Sequence, residues 1–399
     1  MAGASAFLLA GYEFVRSASN TLYKAAYGAD RLPIVMAIMP VGVLIAVWVY
    51  GRLLSRMGPR KTLWWTSIGW AFLIAAATIA VQQGFKPATA VLYIFREAYI
   101  VVIIEQYWSF LDSSLGQEQA RKLNGPICGI ASLGAIGGGI LVGQLAQAIG
   151  TAMMPLFAAG LLLPAALVAD VGYKIGGEPT PIDRSKPKSQ LGLNQFSASP
   201  LLIVLLAIIV CTQIVSAGLD LRFQDLLQVA YPDPDRQTAF SGSFFAGLNA
   251  AAAVMQFAVT PLLLRLLPVN WIHIAIPAVH VTACCSLIAA PSLGTAGAAY
   301  LIFKCIDYSI FRASKEILYI PLPFDARYRA KELIDVFGYR AGKGGISVTF
   351  AAASALRGIN LAGLYAPVAC AASLVWIMLS IPLTRLYRQS MANSNAESN

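Results

Sequence analysis

The chain has 399 residues, of which 58% are hydrophobic and only 12% are charged. Soluble domains carry about twice that charged fraction, and the apolar runs here approach the roughly 20 residues that cross a bilayer. These features argue against a soluble globular protein. The formal net charge of +10 is typical of a membrane protein with basic cytoplasmic loops. Because no basic run carries interleaved aromatic residues, we expect no nucleic-acid partner.

The first apolar segment begins close to the N terminus and contains Glu13 and Arg16 without a preceding basic leader. We therefore interpret it as a membrane helix and not as a cleavable targeting segment. Five further segments, a polar stretch and six more segments follow. The twelve apolar segments lie near 4–24, 33–54, 62–82, 88–112, 124–148, 152–174, 199–220, 238–266, 271–290, 294–316, 338–361 and 364–387.

This layout predicts an all-α integral membrane protein with about twelve transmembrane helices in two six-helix halves, the arrangement of the major facilitator fold. The expected parts are an N-terminal bundle (1–175), a cytoplasmic linker (176–198), a C-terminal bundle (199–388) and a disordered tail (389–399). The stretch "GRLLSRMGPRKTL" at 51–63 resembles the loop between helices 2 and 3 of that superfamily, with Ser55 replacing its usual acidic residue.

Small residues at four-residue spacing recur in the fifth segment, at Gly125 with Gly129 and at Gly134 with Gly138. This spacing predicts that helix backbones approach closely there.

Basic residues concentrate in alternate loops, which places both termini and the linker in the cytoplasm. We therefore expect a multi-pass monomer of the bacterial inner membrane, in contact with lipid. The expected cytoplasmic cations are Arg52, Arg56, Arg60, Lys61, Arg121, Lys122, Lys174, Arg184, Lys186, Lys188, Arg327, Arg329, Lys331, Arg385 and Arg388. The opposite loops are short and carry few, such as Arg31, Lys86 and Arg236.

The residue types needed for metal binding or hydrolysis are scarce. The six cysteines lie in apolar segments without metal-ligand spacing, and we interpret them as small core residues. His273 and His280 share a face of one apolar helix without an acidic cluster nearby. The stretch "GYRAGKGG" lacks the spacing of a phosphate loop. We expect no metal, no cofactor and no enzymatic activity.

Ionisable side chains within membrane segments are costly and mark substrate or ion pathways. The candidate substrate-binding cations are Arg16, Arg96, Lys304, Arg312, Lys315, Arg340 and Lys343. The candidate coupling or ion-pairing carboxylates are Glu13, Glu97, Glu105, Asp220, Asp307, Glu316 and Asp335.

The tenth segment is the most informative, because charged residues recur there at three- and four-residue spacing, from Lys304 through Asp307 and Arg312 to Lys315. This spacing predicts a single face that turns towards protein or water, where cations bind phosphate or carboxylate. The structural alternative is ion pairing within the bundle, such as Lys304 with Asp307 or Arg312 with Glu316.

The stretch "SIFRASKEILYIPLPFDARYRAKELIDVFGYRAGKGG" at 309–345 resembles the nucleotide translocases of intracellular bacteria and plastids, which have "FxATKExxYIPL" followed by "KAxIDVxGxRxGKSGG". The shared residues are Lys315, Glu316, Ile320, Pro321, Leu322, Lys331, Ile334, Asp335, Val336, Gly338, Arg340, Gly342 and Lys343. Weaker similarity occurs at 16–35, 105–136 and 228–244.

This resemblance implies a major facilitator fold and exchange or import of nucleotides without hydrolysis. It also implies that Asp220 matches a glutamate of the family, that Lys343 matches its helix 11 lysine, and that Glu97 matches its helix 4 glutamate with a one-residue slip. The family's lysine in helix 1 aligns with Ser19, its acidic neighbour with Asn20, and a basic residue of helix 7 with Gln224.

Two transport hypotheses stay open. In the first, the cations bind an anionic solute, such as a nucleotide or other phosphorylated metabolite, and the carboxylates carry a proton or pair with the cations between cycles. In the alternative, the chain is a proton-coupled transporter of a non-nucleotide solute such as an organic acid or a metal chelate, which the absence of a lysine at Ser19 favours. A sensor or complex subunit is less favoured, because no soluble domain is appended.

Overall fold

The computed structural model describes residues 1–115, 117–178, 199–322, 334, 338–357 and 361–398. In this part of the chain the backbone is helical, with short turns and no β-strand. The helices are α1 (Ala2–Tyr27), α2 (Leu32–Met57), α3 (Pro59–Gln82), α4 (Pro87–Ser114), α5 (Gln117–Ile149), α6 (Met154–Gly176), α7 (Pro200–Ala230), α8 (Pro234–Leu266), α9 (Val269–Ala289), α10 (Leu293–Leu318), α11 (Tyr339–Arg357) and α12 (Ala362–Ser398). Most of the predicted linker, 179–198, lies outside the described residues.

Nine of these helices are long and apolar enough to cross a membrane, so the chain is a multi-pass membrane protein. Among the described helices, α1, α10 and α11 do not reach that standard. α1 carries buried polar residues along its length, α10 is divided into short pieces, and α11 begins with charged residues. The three helices that depart most from an apolar span are therefore those that hold many of the candidate site residues, and the count of twelve spans stays a prediction.

Glycine and proline set the boundary between α2 and α3. Gly58 ends α2 with φ +75°, a conformation that residues with a Cβ rarely adopt, and Pro59 follows at the first position of α3. At the start of α10, Ser292 and Thr295 form a reciprocal capping box.

π-helical turns interrupt two of the helices. One spans Met255–Val259 within α8 and the other spans Asp307–Phe311 within α10, between Leu293–Ile306 and Arg312–Leu318. Each such turn inserts extra backbone into the helix and rotates the residues that follow it. The turn in α10 falls inside the stretch for which a single charged face was predicted.

Two helix ends differ from the sequence expectation. α7 continues to Ala230, ten residues beyond the predicted end at 220, because its buried face continues through Leu221, Phe223 and Leu227. An ion pair of 2.8 Å between Arg222 and Asp225 adds to this part of the helix. α12 continues to Ser398, whereas residues 389–399 were expected to be disordered. That terminal sequence contains neither proline nor glycine, so nothing in it stops the helix.

The chain forms two compact units whose boundaries do not follow the order of the helices. The first unit comprises Met1–Arg184 and Tyr231–Ala250, and the second comprises Ser185–Ala230 and Ala251–Asn399. The first part of α8 thus belongs with α1–α6, while α7, the rest of α8 and α9–α12 form the second unit. The predicted boundaries of the two bundles remain a proposal.

Within the first unit, the glycines of α5 allow close approach to two other helices. A Cβ at Gly134 or Gly138 would collide with the backbone of Ala6 or Ala10 in α1. A Cβ at Gly139 would lie 2.8 Å from the carbonyl oxygen of Gly242 in α8. The predicted close packing is confirmed at Gly134 and Gly138. At Gly125 the expectation was wrong, since a Cβ there would meet nothing within 4 Å.

Within the second unit, aromatic side chains of α10 and α12 lie against the two histidines of α9. The ring centroid of His280 lies 5.0 Å from that of Phe303 and 5.6 Å from that of Trp376. His273 lies edge-on to Phe311, with 6.2 Å between centroids. Both histidines are buried. No group of three His, Cys, Asp or Glu side chains in the described ranges is placed to hold a metal ion. The histidines therefore pack in the core of this unit.

A shared carboxylate joins α3 to α6 at the end of the first unit where α3 begins. Arg60 donates two hydrogen bonds to Asp170, of 2.6 and 3.1 Å, and the Lys174 ammonium lies 3.2 Å from the same carboxylate. Ser55, which replaces the usual acidic residue of this loop, hydrogen-bonds only locally to the carbonyl of Arg52. Arg60 is thus paired with a carboxylate of another helix, and the bidentate geometry strengthens this ion pair.

We expect Asp170→Asn to lower the melting temperature by a few degrees, because two cations would lose their shared partner. Arg60→Gln should do the same, and the double variant should be little worse than either single one, since both remove one interaction. The measurement is thermal unfolding of the purified protein in detergent. The control is Glu118→Gln, which breaks the exposed ion pair with Lys122 and should leave the melting temperature unchanged. Additive losses in the double variant would show that the two residues act separately.

Candidate functional site

Polar side chains of α1 and α4 form a buried cluster inside the first unit, which we name the α1–α4 cluster. α4 is long and apolar enough to cross a membrane, and charged side chains are unexpected inside such a helix. The members are Glu13, Arg16, Ser19, Asn20, Arg96 and Glu97.

Arg96 is the centre of this cluster. It is 4% exposed, and its Nη1 lies close to three oxygens of α1: the carbonyl of Arg16 at 3.3 Å, Oγ of Ser19 at 3.3 Å and Oδ1 of Asn20 at 2.7 Å. Its Nε lies 3.3 Å from the Glu97 carboxylate. One guanidinium from α4 therefore binds the stretch of α1 that contains Ser19, the position at which the resemblance places a lysine.

Aromatic rings cover both guanidinium groups of the cluster. The guanidinium carbon of Arg96 lies 3.8 Å from the ring centroid of Tyr93, and that of Arg16 lies 3.4 Å from the centroid of Phe245 in α8. The hydroxyl of Tyr12 donates to Glu97 at 3.2 Å. Such rings stabilise a desolvated cation without neutralising it, so each cation keeps its ability to attract an anion.

Glu13 is the most deeply buried carboxylate of the cluster, with 1% of its surface exposed. Its Oε1 accepts a hydrogen bond of 2.9 Å from the amide of Asn249 in α8 and lies 3.4 Å from Nη1 of Arg16. Among the described residues, no hydrogen-bond donor reaches its buried Oε2. The two oxygens of this carboxylate thus have different environments, one paired and one facing only packed atoms.

In the second unit the predicted cations make separate contacts. Nζ of Lys343 in α11 lies 3.8 Å from the carboxylate of Asp220 in α7. Nζ of Lys304 donates to Oγ of Ser216, also in α7, at 3.1 Å. Lys315 is buried, and its Nζ lies 5.2 Å from the ring centroid of Tyr339. Lys343 and Lys304 thus bind the same helix, α7.

The π-helical turn divides the charged face predicted for α10. Lys304 precedes the turn and Asp307 begins it, and both are half-buried. Lys315 follows the turn and is buried. Arg312, however, is exposed. A π-helical turn shifts the helical period of every residue after it, so Lys304 on one side of the turn and Arg312 and Lys315 on the other do not follow a single period. Oδ1 of Asp307 is buried, and no hydrogen-bond donor in the described residues reaches it.

Several predicted residues lie apart from these contacts. Glu105 is exposed and lies eight residues beyond Glu97 on α4, about 12 Å along the axis. Glu316 is half-buried near the end of α10. Asp335 lies outside the described residues, as does the side chain of Arg340.

Sequence reasoning missed the uncharged partners of the site. Asn249, Phe245, Tyr12, Tyr93 and Ser216 each contact one of the charged groups. An asparagine inside an apolar run was a usable signal for Asn249, because an amide at membrane depth requires a partner. The aromatic residues carried no such signal, since aromatic side chains are common in apolar segments.

Comparison with known proteins agrees with the resemblance. Residues 273–387 match the family described as TLC ATP/ADP transporter. ADP,ATP carrier protein 1 of Chlamydia muridarum (strain MoPn / Nigg) is 25% identical over 244 residues, which cover 54% of this chain and 45% of that protein. ADP,ATP carrier protein 1 of Chlamydia trachomatis serovar D is 27% identical over 188 residues, or 41% of this chain and 35% of the relative. The match thus spans less than half the length of either relative. These proteins are transporters and not enzymes.

The similarity to solved structures covers almost the whole chain, whereas the sequence matches cover only part of it. A bacterial homologue of the iron transporter ferroportin in its inward-facing state has a TM-score of 0.68 at 14% identity and covers 95% of this chain and 98% of that one. The nucleoside transporter NupG has a TM-score of 0.68 at 11% identity, covering 96% and 100%. An auto-inhibited POT family peptide transporter also scores 0.68, at 12% identity, covering 94% and 96%. The chain therefore has the fold of these transporters, and its C-terminal part is similar to the TLC ATP/ADP transporter family.

Proposed function

We propose that the chain is a secondary transporter that moves an anionic solute across the membrane by alternating access. The observation that supports this most directly is that both units hold cations beside a carboxylate or a hydroxyl of a helix. Cations inside membrane helices are costly and mark a substrate or ion pathway. The proposed solute-binding cations are Arg16 and Arg96 in the first unit and Lys304, Lys315, Arg340 and Lys343 in the second. Arg312, which is exposed, is the weakest member of the proposed set.

The ion pairs suggest how such a site would be kept ready without a solute. At 3.8 Å, the contact between Lys343 and Asp220 is at the long end of an ion pair, so an incoming phosphate or carboxylate competes for the lysine at modest cost. Glu97 would hold Arg96 in the same way between cycles. Asp220, Glu97 and Glu13 would then either accept a proton or return to the cations after release.

A nucleotide or another phosphorylated metabolite is the solute class that we favour. The matched family and both relatives are named for ATP and ADP, and several separated cations suit a solute that carries more than one negative charge. The bacterial inner membrane, with both termini cytoplasmic, is the proposed location, since the loop charges favour that orientation.

A proton-coupled transporter of a non-nucleotide solute is the alternative. Glu13 supports it, because its Oε2 has no hydrogen-bond donor among the described residues and would accept a proton without losing a bond. Ser19, in place of the family's helix 1 lysine, supports it as well. In this case Glu13 would carry the coupling ion and the cations would bind an organic acid or a metal chelate.

Uptake of labelled ATP and ADP into proteoliposomes separates the two. We expect Lys343→Ala to lower uptake at least tenfold, since loss of a charge-assisted contact costs about 1.5–3 kcal/mol, whereas Lys343→Arg should keep most of it. The matched control is Lys86→Ala, which removes an exposed cation at the start of α4. Uptake that is unchanged in Lys343→Ala would overturn the role of Lys343. Absence of nucleotide uptake by the unaltered protein, together with acid-driven uptake of another anion, would favour the alternative.

A further inference from the structure

An apolar groove runs along the surface of the first unit between α2, α3 and α4. It encloses about 380 Å³. Small residues form part of its lining, namely Gly42, Ala46, Gly69 and Ala98. Its rim carries large apolar side chains that are exposed, and Trp65 is the most exposed of them at 63%. A groove of this composition on a membrane helix accepts an apolar chain and no polar solute.

The groove has few polar side chains, and that of Thr66 already makes hydrogen bonds within the protein. Oγ1 of Thr66 contacts the carbonyl oxygens of Thr62 and Leu63 and also pairs with Gln106. Tyr50 is the other polar lining residue, and it is 9% exposed. A ligand in the groove would thus be held by contact area and shape alone, which is how an acyl chain is bound.

The dimensions of the groove match half of a bilayer. Its lining on α2 extends from Gly42 to Leu53, which at 1.5 Å per residue is about 16 Å. The hydrocarbon core of a membrane is about 30 Å thick, so each leaflet contributes roughly half of that. One acyl chain lying along the groove would therefore span one leaflet.

Basic residues lie at one end of the groove. Three exposed cations lie within about one helical turn of lining residues. Arg52 and Arg56 flank Leu53 on α2, and Lys61 precedes Trp65 on α3. The guanidinium of Arg52 stacks on Trp48 at 4.2 Å, which favours a position at the membrane interface. A lipid with its chain in the groove would place its headgroup among these cations, and such cations attract anionic headgroups.

We propose that this groove is a binding site for an anionic phospholipid of the cytoplasmic leaflet, with one acyl chain between α2, α3 and α4 and the headgroup at Arg52, Arg56 and Lys61. The site is distinct from the α1–α4 cluster and does not depend on the transported solute. It would make the stability of the first unit sensitive to the charge of the surrounding lipid.

Gly69 offers a direct way to fill the groove. It lines the groove, yet a Cβ at this position would meet no atom within 4 Å, so Gly69→Leu occupies the space of the ligand without displacing the protein. The matched control is Gly160→Leu on α6, where a Cβ also meets open space outside the groove. A second variant replaces Arg52, Arg56 and Lys61 by glutamine and leaves the groove open.

The experiment is native mass spectrometry of the purified protein with dioleoyl-phosphatidylglycerol or dioleoyl-phosphatidylcholine, accompanied by thermal unfolding. We expect the unaltered protein and Gly160→Leu to retain one tightly bound phosphatidylglycerol, with at least about fivefold preference over phosphatidylcholine. Gly69→Leu should lose that molecule, and the triple glutamine variant should lose the preference.

Three outcomes would overturn the proposal. The first is lipid retention by Gly69→Leu equal to that of the control. The second is equal retention of the two lipids by the unaltered protein. The third is a dimer of the unaltered protein that Gly69→Leu dissociates, because a second copy of the chain would then occupy the groove. If Gly69→Leu unfolds, the triple variant still decides the charge dependence on which the proposal rests.

Discussion

Arg96→Ala should lower solute uptake by about two orders of magnitude, the largest effect that we expect from any single change in the α1–α4 cluster. The guanidinium contacts three oxygens of α1 and the carboxylate of Glu97. Loss of hydrogen bonds to a charged group costs about 1.5–3 kcal/mol, and each 1.4 kcal/mol corresponds to a factor of ten. Uptake into proteoliposomes and thermal unfolding should both be measured, because the same contacts join α1 to α4.

Arg96→Lys distinguishes charge from geometry. A lysine keeps the positive charge, but its single ammonium lacks the planar set of donors with which arginine reaches several acceptors at once. We expect this variant to fold close to normally and to transport at least tenfold more slowly. Lys86→Ala, which removes an exposed cation at the start of α4, should behave like the unaltered protein. If Arg96→Ala transports at the normal rate, Arg96 has no part in the solute pathway.

Gly242→Leu should destabilise the first unit and disturb transport, because Gly242 lies where α8 approaches α5 most closely. A Cβ there would lie 2.6 Å from Cγ1 of Val142 and 2.7 Å from the backbone nitrogen of Gly143. Overpacking of this kind typically costs about 1–3 kcal/mol and occasionally more. The measurement is thermal unfolding in detergent together with uptake.

Gly247→Leu is the matched control for that change. It lies on the same helix, one and a half turns further on, and a Cβ at this position meets no atom within 4 Å. We expect it to retain a normal melting temperature and normal uptake. Equal losses in the two variants would show that α8 tolerates no larger residue at either position, and the close contact with α5 would not be the cause.

The positions of the helices and their close packing were more predictable from the sequence than the side-chain contacts within the site. Gly134 and Gly138 predicted a close helix contact, because small residues at four-residue spacing have few other roles in a membrane helix, but they did not identify α1 as the partner. Arg96 was visible as a charge in an apolar segment. Its partners Ser19 and Asn20 were not, since the pairing depends on how α1 and α4 are positioned and no local pattern encodes that.

The charged face of α10 shows why periodicity alone was insufficient. A regular helix would carry one period from Lys304 to Arg312 and Lys315, but the π-helical turn at Asp307–Phe311 breaks the period after Lys304. The sequence "DYSIF" contains neither proline nor glycine to signal such a turn. The ion pair between Arg60 and Asp170 was not predicted for a different reason. The two residues lie 110 positions apart in the chain, and no local sequence pattern connects them.

The first unit consists of two separate stretches of the chain, so it can be completed only after both have been synthesised. α1–α6 are synthesised first, but Glu13 acquires the amide of Asn249, and Gly139 acquires its neighbour Gly242, only when α8 has been made. Domains usually fold in the order in which they leave the ribosome. Here a buried carboxylate of α1 gains its amide partner only after α7 and α8 have been made. Completion of the first unit is therefore coupled to the synthesis of α7 and α8, so α1–α6 are not expected to mature on their own.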